Sequence, residues 1–99
     1  MRKPAFTIDR PKAVKRLEAV RLALGMTKGA FSETLAMYPP NYSRLIKGDF
    51  FLTADQLYTL WRRHRIDPAF IMDGFVGSMP VDLVKQIEEI QKDGLGDDS

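Results

Sequence analysis

Two adjacent prolines, Pro39 and Pro40, constrain this 99-residue chain more than any other feature. Proline has no backbone N–H and its ring clashes with the preceding helical turn, so it opens a helix but does not sit inside one. The stretch Met26–Asp49, MTKGAFSETLAMYPPNYSRLIKGD, must therefore break before Pro39 and restart there. Upstream, Thr27 is an N-cap and Ala30, Phe31 and Leu35 are expected on one side of a short helix. Downstream, Tyr42, Leu45 and Ile46 stand at i, i+3 and i+4, and Gly48 is a C-terminal stop. The spacing predicts two short helices joined by a tight turn, the second carrying Arg44 and followed by Lys47.

The same logic extends along the chain. Asp9 caps a first helix that has Pro11 in its first turn. Ala13, Val14, Leu17, Val20 and Leu24 form its apolar face, Lys12, Lys15, Arg16 and Glu18 the opposite one, and Gly25 its end. Asp49-Phe50-Phe51-Leu52 reads as a loop that turns aromatic weight inward. Thr53 caps a fourth helix with Leu57, Leu60, Trp61 and His64 at i, i+3, i+4 and i+7, and Trp61 is expected in the core. Pro68 opens a short fifth helix that Asp73-Gly74 closes. Val76 to Ser78 reads as a hinge before a sixth helix from Pro80 to Lys92, with Val81, Val84, Ile87 and Ile90 three apart. No alternation of strand period persists, so the class is all-α.

Charge is informative by its distribution. Up to Arg65 there are thirteen Lys/Arg against five Asp/Glu, and after it two against eight, within a net charge of only +2. A basic body and an acidic tail suit a polyanionic partner for the former. The chain has no cysteine, which excludes disulfides, thiolate metal ligands and a cysteine nucleophile. One histidine, His64, without paired carboxylates makes no metal site, and no catalytic cluster or phosphate-binding glycine loop stands out. Neither enzyme activity nor a cofactor is expected. With no membrane-length apolar run and no apolar signal core in MRKPAFTIDR, the expected location is cytoplasmic.

Aligned without gaps, Pro11 to Gly74 resembles the Cro/phage-repressor type of helix-turn-helix domain. Leu17-Glu18-Ala19-Val20-Arg21 with Leu24-Gly25-Met26-Thr27 is similar to its first helix and following turn. Phe31-Ser32-Glu33-Thr34-Leu35-Ala36 is similar to its second helix, and Ser43-Arg44-Leu45-Ile46-Lys47-Gly48 to the end of its recognition helix. Ala69-Phe70-Ile71-Met72-Asp73-Gly74 is similar to the short helix that ends the domain. The five helices read from the residues, with this resemblance, give a compact lambda-repressor-like domain at 9–76, and the residues before it read as a flexible basic arm at 1–8. A C-terminal helix and acidic disordered tail would occupy 77–99.

The resemblance also implies a DNA-binding transcriptional regulator whose helix from Pro39 to Lys47 enters the major groove. The residues for DNA contact are then Thr27, Lys28, Tyr38, Pro40, Asn41, Ser43, Arg44 and Lys47. Lys28 and Lys47 would meet phosphates, and Ser43 is small enough for close approach. Arg44 can offer two donors to a guanine edge, or pair with Glu33, or touch phosphate alone. Asn41 can bond adenine, a phosphate or its own helix start. The sequence departs from the family at Tyr38, a poor N-cap, and at Pro39-Pro40, which offer only apolar contact. Ala36 replaces the usual turn glycine.

Double-stranded DNA and a second copy of the chain are the expected partners, with Val84, Ile87 and Ile90 as a dimer surface unless that helix folds back. The alternative is a protein-interaction module on the same scaffold, antitoxin-like or an adaptor, because Tyr38 and the prolines make the surface apolar. Arg62, Arg63 and Arg65 either complement their helix end or form a second patch for phosphate or an acidic partner.

Overall fold

A computed structural model describes residues 5–94. Arg2, Lys3 and most of the expected acidic tail lie outside the described residues. Six helices run in the order α1 (Arg10–Ala23), α2 (Lys28–Thr34), α3 (Pro39–Ile46), α4 (Ala54–His64), α5 (Pro68–Asp73) and α6 (Val81–Lys92), and no strand occurs among the described residues. The all-α expectation holds.

The starts of α1 to α5 have local causes. Asp9, Thr27, Thr53 and Asp67 accept N–H bonds from Lys12, Ala30, Gln56 and Ala69, so short polar side chains satisfy donors that the helix itself cannot. At α4 the Gln56 side chain returns a bond to the Thr53 N–H, closing a capping box. Helix α3 has no side-chain cap; Tyr38 stands at that position and the prolines supply the pre-set backbone instead.

One core unites the chain. Ala13, Leu17, Ala19 and Val20 of α1 are fully buried with Phe31, Tyr42, Leu45, Leu60, Ile71 and Ile87. Phe31 and Tyr42 meet edge to face, 5.6 Å between centroids, which fixes α2 against α3. Ala30, expected on that apolar side, is exposed.

Helix α6 packs on α1. Its Ile87 is 1% exposed, Val84 and Ile90 are half-buried against the core, and Val81 points outward. The apolar stripe expected as a dimer surface is therefore spent on its own chain. Burying it there removes apolar area from water as effectively as a second copy would, without the entropic cost of association. The segment expected as a hinge is a turn, closed by a Met79 N–H to Val76 carbonyl bond of 3.0 Å and followed by buried Met79.

Two charged residues of α1 depart from expectation. Arg16 was expected on the polar face but is 6% exposed. Its Nη1 donates to the carbonyls of Ile71 at 3.2 Å and Met72 at 3.1 Å, acceptors left open in the last turn of α5. A cation at that negative helix end is favourable, and it locks α1 to α5. Gly74 follows with φ +81°, and a Cβ there would stand 3.2 Å from Arg16 Nε. Glu18, expected on the same polar face, is half-buried beneath α3.

Candidate nucleic-acid interface

The surface of interest begins with how α2 hands over to α3. Leu35, Ala36, Met37 and Tyr38 make the connection. Ala36 adopts φ +52°, and N–H groups of Ala36 and Met37 bond the carbonyls of Glu33 and Ser32 at 3.0 and 2.9 Å. The chain thus reverses in a left-handed step that glycine takes more readily than alanine. Leu35 and Met37 drop into the core on either side of it.

This turn, with the inward stripe Tyr42–Leu45, sets the outward face of α3. Pro39, Pro40, Ser43, Arg44 and Lys47 are all exposed, and they recur at helical spacing on one side. No carboxylate stands within α3. Tyr38 is 69% exposed at the entrance. On α2, Lys28 is exposed at the helix start, while Thr27 uses its hydroxyl on the Ala30 N–H at 3.1 Å. Helices α2 and α3 pack on each other, so Lys28 and the α3 face belong to one structural unit. Asn41 is half-buried, and its N–H bonds the Tyr38 carbonyl at 2.8 Å. It is less available than Ser43 or Arg44.

Arg44 does not pair with Glu33. Its Nε lies 3.5 Å from Asp49 Oδ2, with both side chains largely exposed. Asp49 is brought there by the Gly48 turn, where the Asp49 N–H bonds the Arg44 carbonyl at 3.1 Å. The pair is long and solvated, so it holds Arg44 by less than about 1 kcal/mol and leaves it free to exchange partners. Sequence reading treated Asp49 only as a turn residue; its acidic charge just past a helix-ending glycine was the available signal.

Beneath the face lies a polar clasp that sequence reading missed. Tyr42 is fully buried and its hydroxyl donates to Glu18 Oε2 at 2.7 Å. Arg21 Nε donates to the same oxygen at 2.7 Å, and Arg21 Nη1 donates to the Met26 carbonyl at 2.8 Å. Burial by itself would raise the Glu18 carboxyl, but the hydrogen bonds from Arg21 and Tyr42 and the Arg21 charge outweigh it and hold it below its usual range. Burial, then the bond to Glu18, push the Tyr42 phenol far above its ordinary value. Glu18 therefore stays ionised and Tyr42 neutral near pH 7, a stable acceptor–donor pair tying α3 to α1.

Away from this face, Arg62, Arg63 and Arg65 are exposed, and none has a carboxylate within ion-pair distance among the described residues. Trp61, expected in the core, is only half-buried beside them. His64 Nε2 is buried without a hydrogen-bond partner, and burial followed by the Arg63 charge lowers its pKa. Among the described residues no cluster of potential metal ligands occurs, and no helix is long and apolar enough to cross a membrane. Compared with known protein families, with curated proteins and with solved structures, the chain matches none.

Proposed function

We propose that α2 and α3 act as a helix-turn-helix of the Cro/phage-repressor type, and that the chain is a sequence-specific DNA-binding regulator. The observation that carries this reading is the exposed α3 face, where among the described residues the loosely held Asp49 is the one carboxylate paired with Ser43, Arg44 or Lys47. In this reading α3 enters the major groove. Arg44 leaves Asp49 for a guanine edge, Ser43 permits close approach, and Lys47 and Lys28 meet phosphates. Pro40 and Tyr38 supply apolar and hydroxyl contact at the groove wall. Thr27 acts indirectly by holding the start of α2. Asn41 is kept for contact through its side chain at the edge of the same face.

A single helix reads few bases, so the regulator binds a two-fold site as a homodimer. Val84, Ile87 and Ile90 pack on their own chain, so the dimer surface falls to other residues; among the described residues Phe75, Val76 and Val81, before and at the start of α6, are exposed apolar side chains.

A second reading is favoured by one observation. Tyr38, at 69% exposure, adjoins two exposed prolines, an apolar edge that suits a protein partner. Fluorescence anisotropy with labelled duplex DNA at increasing salt separates the readings. The DNA reading expects the logarithm of affinity to fall steeply with the logarithm of salt, at about 0.9 per phosphate neutralised. Lys28→Ala should lower that slope by about one unit. Asp49→Asn should tighten binding, because it removes a negative charge and the competing partner of Arg44. Weak binding with a flat slope, unaltered by either variant, would move the function to a protein interface.

A further inference from the structure

Helix α4 carries a surface that the DNA reading does not use. Ala54, Leu57, Tyr58 and Trp61 on α4, with Asp67 and Pro68 at the start of α5, line a surface hollow of about 420 Å³. Tyr58 is 59% exposed at its rim. A second hollow of about 350 Å³ is lined by Trp61, Arg62 and Arg65. Trp61 lines both, the first mostly apolar and the second bounded by cations.

The arginines are held there by the aromatic rings. Arg62 sits 5.9 Å from the Tyr58 ring centre, and Arg65 sits 5.5 Å from that of Trp61. Arg65 reaches its place through a left-handed backbone, φ +61°, at the helix end. None of the three exposed arginines has a carboxylate partner among the described residues. Asp67, the carboxylate in the lining of the first hollow, already accepts the Ala69 N–H at 2.9 Å and does not line the second. The surface is thus polarised: apolar between Leu57 and Pro68, cationic beyond Trp61.

We propose that this surface docks an acidic peptide segment of a partner protein. One large apolar side chain of the segment enters the hollow at Leu57, Tyr58, Trp61 and Pro68. Its neighbouring carboxylates pair with Arg62 and Arg65. Charge complementarity selects this occupant: an apolar hollow alone would accept any hydrophobe, and unpaired arginines alone any anion, but only a segment carrying both satisfies both halves.

Trp61 is the only tryptophan in the chain, so its fluorescence reports the site directly. The probe is a short acidic peptide with one central phenylalanine. Controls are the same peptide with alanine for phenylalanine, and one with amides for all carboxylates. The first should shift or quench Trp61 emission saturably, and each control should bind about tenfold more weakly or worse. Tyr58→Ala and the pair Arg62→Gln/Arg65→Gln, both checked for unaltered helical content, should each weaken the peptide about tenfold, whereas Arg44→Ala should not. No emission change, or equal binding of the alanine peptide, overturns the proposal. So does duplex DNA that produces the same emission change and loses it in Arg62→Gln/Arg65→Gln, because the arginines would then serve phosphates.

Discussion

The clasp beneath the exposed face of α3 gives the sharpest test of how this chain holds that helix in place. Tyr42→Phe removes one atom from a fully buried side chain and keeps the ring that meets Phe31 edge to face. What is lost is a 2.7 Å bond to a half-buried, ionised carboxylate. Hydrogen bonds to charged groups contribute about 1.5–3 kcal/mol. Arg21 remains on Glu18, so the carboxylate is not orphaned, which favours the middle of that range, about 2 kcal/mol. For a domain this small that lowers Tm by about 8–16 °C.

The pH dependence sharpens the test. The folded-state pKa of Glu18 is depressed, so its stabilisation is full above the unfolded value of about 4.3 and is lost as pH falls through the folded value. Tyr42→Phe removes one cause of that depression and should shrink the loss on the acid side. Urea unfolding followed by circular dichroism, at pH 7 and at steps below pH 4.5, measures both effects. A change below about 0.5 kcal/mol at pH 7, with an unaltered acid limb, would refute the clasp as a stabilising element.

Three further outcomes follow from named geometry. Ala36 pays for a left-handed φ of +52°, so Ala36→Gly should stabilise by up to about 1 kcal/mol in the same unfolding assay; destabilisation would contradict strain at that turn. Gly74→Ala should cost about 1–2 kcal/mol or more, because φ is +81° and the added Cβ crowds Arg16 Nε at 3.2 Å; a neutral result would show that Arg16 moves without penalty. His64 has a lowered pKa from burial and then from Arg63, so its neutral form is favoured on folding. The wild-type chain should lose stability as pH falls from about 6.5 through the lower folded value, and His64→Leu should flatten that limb. An identical slope in the variant would exclude His64 as its source.

Much of the fold was legible because its causes are local. Asp9, Thr27 and Thr53 announce helix starts by residue type, and Pro39 forces a restart whatever surrounds it. The outward set at Ser43, Arg44 and Lys47 follows from the inward stripe at Tyr42 and Leu45. What stayed hidden depends on partners distant in sequence. Arg16 and Glu18 read as surface charges because the acceptors at Ile71 and Met72, and the hydroxyl of Tyr42, reach them only through tertiary packing. Helical period marks Val84, Ile87 and Ile90 as an apolar stripe but does not say whether α1 or another chain covers it. Trp61 fits a core pattern at i+4 from Leu57, yet α5 covers it only in part and leaves a hollow beside it. The cationic half of this surface was therefore legible as a possible patch at Arg62, Arg63 and Arg65, but the apolar hollow beside Trp61 was not.

If the proposed function is right, α3 reads DNA through Arg44. Selection of binding sites from a random duplex pool at moderate salt, with Arg44→Ala in parallel, tests it most directly. The wild-type chain should then enrich a two-fold motif. In the variant, discrimination at one base pair in each half-site should fall by about 1–3 kcal/mol while residual phosphate binding survives. No enrichment by the wild-type chain, or the same motif at the same strength in the variant, would contradict it.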